Sequence, residues 1–296
     1  MDLFSDIRKI CRAGADVSMA EHTSFRCGGR AAVFAEPAGE GELSELLRLL
    51  SGSDTPYIVI GNGSNVLFAR DYAGVAVHIG RALDFIERKG ENGLIAGAGT
   101  MLSRLSRAAL EYGLSGMECA CGIPGSVGGA CFMNAGAYGF EMKNVLREVR
   151  SMKPDGSVIR RSAEELGLGY RKSAFMDSDE VILSAEVSLA PGDRAEMEAL
   201  MNDCTAKRNA KQPVNLPSAG SFFKRPEGYF AGKLIEDSGL KGLTIGGAQV
   251  SPLHAGFIVN VGGATADDVV QLMHVVQETV MHDHGVALEP EVRIIG

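Results

Sequence analysis

The stretch Gly113–Gly139, GLSGMECACGIPGSVGGACFMNAGAYG, constrains what this chain can fold into more than any other segment. It holds eight glycines and one proline, Pro124. Backbone this rich in glycine bends sharply or lies close against something, since glycine alone enters positive φ at little cost. Ile123, Val127, Phe132 and Met133 are interleaved with the glycines, and a solvated linker has little use for them. The segment therefore reads as ordered and non-helical, with amides able to cradle a phosphate chain or a cofactor ring.

At 296 residues the chain has room for two or three modest domains. A composition of 45% hydrophobic and 22% charged residues is that of a globular protein. The net charge of −8 argues against nucleic acid as a partner, while leaving room for a local basic pocket. The first residues, MDLFSDIRKICRAG, carry charges throughout and lack a signal-peptide core. No apolar run reaches membrane-spanning length. Cysteines 11, 27, 119, 121, 131 and 204 are scattered, and Cys119 and Cys121 form C-x-C rather than the C-x2-C of zinc or redox sites. They are expected to be reduced, small buried residues, and no metal is expected.

Residues 2–14 read as a short helix and AAVFAEP as a strand ending at Pro37. Leucines 43, 46, 47 and 50 lie at helical spacing. Tyr57–Ile60 is a buried strand running into GNGSN, and residues 75–80 and 93–100 read as further strands. Thr100 is expected to cap a helix ending at Gly113. NVLREVRSMKPDGSVIRRS is a hairpin with Pro154-Asp155-Gly156 at its turn. At Gly192 the character changes to a polar helix stopped by Pro213, which places a domain boundary at 192/193. A helix around residues 231–238 and a last helix opened by Thr265 and ended by Gly285 follow, and VALEPEVRII reads as a closing strand. Strands and helices mix without βαβ alternation, so the class is α+β.

Gly61-Asn62-Gly63-Ser64-Asn65 after an apolar strand invites a dinucleotide-fold reading. It fails because Val66 stands at the third glycine position and no helical pattern follows. What survives is either a nest of amides for a diphosphate or a plain turn. PSAGSFFKRP puts Ser221 after a glycine, with no nucleophile elbow around it. Arg171 in GYRKSAF could fork onto a carboxylate or sit idle on the surface. Glu289 and Glu291 share a strand face, as a buried acid or two solvated ones.

Taken together, GNGSNVLF, GIPGSVGGACFMNAGAYG, GYRKSAF, PSAGSFFKRP, AGKLIE, GGAQVSPLHAGFIVN and LEPEVRIIG resemble, in order and spacing, the UDP-N-acetylenolpyruvoylglucosamine reductase family. The resemblance runs from about Thr23 to Gly296, and is to the shorter, second-type subgroup. It implies an FAD-binding domain of the vanillyl-alcohol-oxidase/PCMH type over residues 1–192, in lobes of about 1–80 and 81–192. A substrate domain of α+β type would occupy 193–296.

The implied cofactor is non-covalent FAD, held by Gly61, Asn62, Gly63, Ser64 and Asn65 and by Gly122, Ile123, Pro124, Gly125, Ser126, Gly128 and Gly129. NADPH is the implied co-substrate, sharing space in turn with a UDP-sugar. The family pattern assigns proton donation to Ser221 and carboxylate stabilisation to Arg171 and Glu291, with Glu291 expected to donate a hydrogen bond in protonated form. Lys224 is the candidate to relieve a Ser221 oxyanion. Lys211, Lys224 and Arg225 are expected around the substrate's diphosphate. A monomer in a bacterial cytoplasm completes what the resemblance implies. The competing readings are another flavin oxidoreductase of the same fold and a sugar-nucleotide binder without chemistry.

Overall fold

The computed structural model of the chain describes residues 3–296. Contacts divide it into two compact units. The first takes in Val33–Asn62 and Ala73–Lys207 with the stretch ending at Ala15; the second takes in Asp16–Ala32, Gly63–Tyr72 and Arg208–Gly296. The late division falls at 207/208, not at the 192/193 change in composition. The helix Arg194–Lys211 explains the difference: its buried Met197 and its Cys204, which is bridged to Cys119, tie most of its length to the first unit.

The first unit is built mainly on two sheets. A four-stranded sheet has the order Arg12–Ser18, Arg30–Glu36, Tyr72–His78, Tyr57–Ile60, the last two being parallel. A five-stranded antiparallel sheet has the order Val158–Ser162, Leu146–Met152, Val181–Ser188, Gly93–Gly97, Ile86–Lys89. The expected hairpin at Pro154-Asp155-Gly156 is present, with Gly156 at φ 82°. The helix Glu40–Ser51 buries Leu43, Leu46, Leu47 and Leu50, the face that the leucine spacing predicts.

Four local expectations change. The helix expected over 2–14 is Leu3–Ile10, residue 2 lying outside the described residues, and Arg12–Ser18 follows as a strand. Thr100 does not cap the helix Leu102–Glu111: Met101 holds that position, and the buried Thr100 hydroxyl donates instead to the Phe85 carbonyl at 3.0 Å. Gly113 does take the left-handed place past that helix, at φ 68°. The glycine-rich stretch contains a helix, Val127–Met133, in spite of its two glycines. Ser126 caps it, and its buried Val127, Ala130 and Cys131 join the core of the unit; tertiary burial overrides the weak propensity. The closing strand shrinks to Arg293–Ile295.

The second unit has a four-stranded sheet of order Ser218–Ser221, Phe257–Asn260, Ala248–Val250, Thr244–Ile245. Its helix Ala266–His284 opens with a capping box between Thr265 and Asp268 and closes on Gly285 at φ 65°. Val269, Leu272, Met273, Val276 and Val280 are buried along one face, each contributing roughly 1.5–3 kcal/mol before chain entropy is subtracted. They share a core with Phe25, Leu67 and Phe222. Arg293–Ile295 pairs in parallel with Val66–Phe68, closing the chain against the strand that follows GNGSN.

Candidate active site

Ser221 ends the strand Ser218–Ser221, and the geometry of that strand depends on its glycine. Ser218 faces Val259 and Ser221 faces Phe257, so this strand carries one residue more than its partner. The extra residue makes a bulge, with Gly220 at φ 80°. A bulge re-aims the side chain that follows it, here the half-buried Ser221. The next residue anchors the segment. Phe222 is fully buried, packs edge-on against Phe25, and donates its amide to the Gly256 carbonyl at 2.8 Å.

Glu291 reaches the same place from the end of the chain. Its amide donates to the Phe222 carbonyl at 2.8 Å, and Phe223 bridges Pro290. The Asn65 side-chain amide donates to the Glu291 carbonyl at 3.1 Å, while the Asn65 carbonyl accepts from the Arg293 amide at 3.0 Å. Ser221, Glu291 and Asn65 are therefore brought together within the second unit. The Glu291 side chain is half-buried and Glu289 is exposed, so the two glutamates are not equivalent.

Arg171 belongs to the first unit, at the corner of a tight turn. Gly169 and Lys172 exchange backbone hydrogen bonds of 3.1 and 3.2 Å, leaving Tyr170 and Arg171 at the tip. Arg171 has φ 50°, a conformation that costs a side-chain-bearing residue about 1–2 kcal/mol and persists only where the surroundings impose it. Its guanidinium lies over the Tyr170 ring at 5.0 Å and donates to the Gly136 carbonyl at 3.3 Å. The second half of the glycine-rich stretch thus meets the arginine.

The two glycine clusters assigned to FAD meet in the first unit at Gly61 and Ser126. A Cβ on Gly61 would collide with the Ser126 hydroxyl, which itself accepts from the Gly129 amide at 3.4 Å. Likewise a Cβ on Gly128 would come within 2.9 Å of the Ala98 methyl. The Ile123, Val127 and Gly128 amides are committed to the carbonyls of Ala120, Thr100 and Ala98. The loop thus uses several donors to hold its own shape, and its close-packed, side-chain-poor backbone is what it offers a ligand. Asn62, Pro124 and Gly129 reach the surface around it. A surface of that kind fits a flat ring and a phosphate chain, and these residues fit FAD.

The expected cations are placed as follows. Lys224 donates its amide to the Glu289 carbonyl at 2.8 Å, and its ammonium is 3.1 Å from the Glu289 carboxylate. To relieve a Ser221 oxyanion it would have to leave that partner. The Arg225 guanidinium lies 4.5 Å from the centre of the exposed Phe230 ring. Lys211 stands exposed at the end of its helix. The expectation of reduced thiols fails at one pair: Cys119 and Cys204 form a disulfide with Cα atoms 5.6 Å apart. The turn Glu118–Ala120 and the helix Arg194–Lys211 bring them together, a proximity that spacing in the sequence does not reveal. Burial pushes the Cys131 thiol up to about 12. Among the described residues no group of three or more His, Cys, Asp or Glu side chains could hold a metal ion.

Residues that motif spacing does not single out also shape the site. Asn134, fully buried at φ 43°, binds the Gly169 carbonyl from the end of the helix Val127–Met133. His254 accepts the Gly256 amide on Nδ1 at 3.1 Å, one link from Phe222. The signal available for Asn134 was its residue type, since after glycine Asn is the residue that takes a left-handed helix end.

Comparison with known proteins agrees with this geometry. Residues 31–162 match the FAD binding domain family, and residues 212–295 match the UDP-N-acetylenolpyruvoylglucosamine reductase, C-terminal domain family. The two matches leave residues 163–211 uncovered, the interval in which both candidate boundaries fall. The UDP-N-acetylenolpyruvoylglucosamine reductase of Clostridium perfringens is 47% identical over 282 residues, covering 95% of this chain and 92% of that protein. That of Clostridium botulinum is 44% identical over 295 residues, covering 99% and 96%. The crystal structure of the Thermus caldophilus enzyme superposes with a TM-score of 0.84 at 34% identity, covering 97% of this chain and all of that one. With its FAD-binding domain, its carboxy-terminal domain and relatives matched almost end to end, this chain belongs to the UDP-N-acetylenolpyruvoylglucosamine reductase family.

Proposed function

We infer that the chain is an FAD-dependent oxidoreductase that reduces UDP-N-acetylglucosamine enolpyruvate to UDP-N-acetylmuramate, in the making of peptidoglycan precursors. NADPH is the reductant. Bound FAD supplies the two-electron relay from NADPH to the methylene carbon of the enolpyruvyl ether. The work of the protein is to hold the carboxylate next to the carbon that becomes electron-rich, and to protonate that carbon.

Ser221 is the proton donor in this reading. Arg171, a permanent cation with a planar fork, holds the substrate carboxylate. Glu291 donates a hydrogen bond to the same carboxylate from its protonated form, because an ionised glutamate would repel the charge developing there. The observation that carries the reading is the pairing of Glu291 with the residue next to Ser221, at 2.8 Å. That backbone bond supports the reading because it registers the segment bearing Glu291 against the one bearing Ser221. Lys211, Lys224 and Arg225 serve the diphosphate, Arg225 with the Phe230 ring beside it. The Gly61–Asn65 and Gly122–Gly129 segments hold the cofactor.

The chain works in the cytoplasm as a monomer. Among the described residues no helix is long and apolar enough to cross a membrane, and sedimentation at working concentration tests the monomer. Turnover in deuterium oxide tests the chemistry. Solvent deuterium at the product carbon that bears the carboxylate is the expected result. Product lacking it, or no turnover, contradicts the assignment.

A further inference from the structure

The glycine-rich stretch splits in two by what it contacts. Its first half meets Gly61, as described above. Its second half, from Asn134 on, builds one tight turn and packs beside another. Gly136–Ala137 pairs with Phe140–Glu141 around Tyr138 and Gly139, which take φ values of 52° and 84°. Beside it lies the Gly169–Lys172 turn with Arg171 at its tip, linked to the first by the guanidinium on the Gly136 carbonyl.

One side chain spans both turns. Asn134 is wholly buried, and its amide nitrogen donates to the Gly169 carbonyl at 2.8 Å and to the Glu141 carboxylate at 3.0 Å. Its side-chain oxygen accepts the Lys143 amide at 2.9 Å. A buried amide with both donors and its acceptor engaged is fixed in orientation. The Ser173 hydroxyl, also buried, secures the far side of the turn on the Phe132 carbonyl at 2.6 Å. Glu141 completes the set: the Lys143 ammonium binds it at 2.9 Å. Its carboxyl lies below the usual carboxylate range, chiefly through Lys143, with Asn134 and the Arg171 charge adding. It therefore stays ionised, which suits an acceptor of the Asn134 amide.

We propose that Asn134 is a positioning residue for the reaction: by tying the Gly169 carbonyl and the Glu141 carboxylate to one helix end, it holds the strained Arg171 turn in the conformation that receives the substrate carboxylate. The inference rests on the carboxylate role given above to Arg171. A carboxylate clamp demands a fixed guanidinium, since displacement of about 1 Å in a positioning group costs on the order of 10²-fold in rate. Arg171 itself is half-buried at a turn tip beside the exposed Tyr170, and the tip alone supplies little of that rigidity. Asn134 supplies it from inside the core.

The test is a double-mutant cycle on the FAD-loaded protein. Asn134→Gly keeps the left-handed backbone and removes all three hydrogen bonds. Asn134→Asp keeps the side-chain volume and the acceptor and removes both donors, and serves if the glycine variant loses its fold. The readouts are stopped-flow bleaching of the flavin band by NADPH, its return on adding the enolpyruvyl substrate, and the KM for that substrate.

Either Asn134 variant should bleach at the wild-type rate and return about 10²-fold more slowly, with a raised substrate KM. In an Arg171→Ala background the same variant should add nothing to the loss, because the group it positions is gone. An equal further loss in that background, or an unchanged return in the single variant, overturns the proposal. An Arg171→Ala variant that returns at the wild-type rate overturns the carboxylate role of Arg171 first, and this inference with it.

Discussion

The amide of Glu291 donates to the carbonyl of Phe222 at 2.8 Å, so the last segment of the chain is registered against the residue that follows Ser221. Residues seventy apart in sequence share a site through one backbone bond, flanked by the Asn65 amide on the Glu291 carbonyl at 3.1 Å. Three segments of the second unit are locked in a single register, and the consequences are measurable.

Ser221→Ala removes the proposed proton donor while leaving the backbone pairing of its strand in place. NADPH should still bleach the flavin band at close to the native rate. Reduction of the enolpyruvyl substrate should fall by about 10²–10⁴-fold, the range for loss of a general acid. Stopped-flow absorbance separates the two. Equal loss of both steps would remove Ser221 from the proton-donating role.

Gly220→Ala tests the bulge. A Cβ at Gly220 meets nothing within 4 Å, so the penalty is confined to its φ of 80°. The expected cost is about 1–2 kcal/mol of stability, read as a lowered Tm. The bulge relaxes and Ser221 turns away, so kcat should fall while FAD stays bound. A variant with a lowered Tm and native kcat would show that the bulge serves stability alone.

Gly61→Ala tests the meeting of the two glycine clusters. The new methyl collides with the Ser126 hydroxyl, and the two loops proposed to hold FAD must separate. FAD should bind about 10-fold more weakly, equivalent to about 1.4 kcal/mol, by fluorescence titration of the apoprotein. Adding Ser126→Gly relieves the collision and costs the helix cap only a few tenths of a kcal/mol, so affinity should recover in part, short of native because Ser126 is itself among the residues proposed to hold FAD.

His254 gives stability a pH dependence. Burial lowers its pKa below the ordinary value of 6.5, and its Nδ1 must stay unprotonated to accept the Gly256 amide. The unfolded chain therefore takes up a proton that the folded chain refuses. The contribution is complete above about 6.5 and is lost as pH falls toward the folded value. Tm measured from pH 7.5 down to 5 should drop more steeply for the native chain than for His254→Asn, whose side-chain oxygen offers an acceptor without titrating.

The cysteines divide by burial. The thiols of Cys11, Cys27 and Cys131 are buried and pushed up to about 11, 12 and 12, so they resist alkylation at neutral pH. Brief iodoacetamide treatment of the native chain should label Cys121 ahead of them. Non-reducing peptide mapping should return Cys119 linked to Cys204.

Much of the fold was legible because its signals are local. The leucines of Glu40–Ser51, the apolar face of Ala266–His284 and the Pro-Asp-Gly turn at 154–156 each carry their period or turn chemistry within a few residues. The FAD-binding and carboxy-terminal domains were legible through motif order, as was the family. What was missed is non-local. The helix Val127–Met133 forms against propensity because the core buries its Val127, Ala130 and Cys131. The Cys119–Cys204 bridge spans 85 residues. Thr100 fits a cap by type, yet the structure uses its hydroxyl on Phe85. Asn134 looked like one more polar residue among glycines, and only the folded chain sets it against Gly169.

The visible absorption spectrum of the purified protein tests the central claim most directly. It should show a flavin band that bleaches under anaerobic NADPH and returns when UDP-N-acetylglucosamine enolpyruvate is added. A band that bleaches and fails to return with that substrate, or a protein that takes up no FAD when incubated with it, would contradict the account.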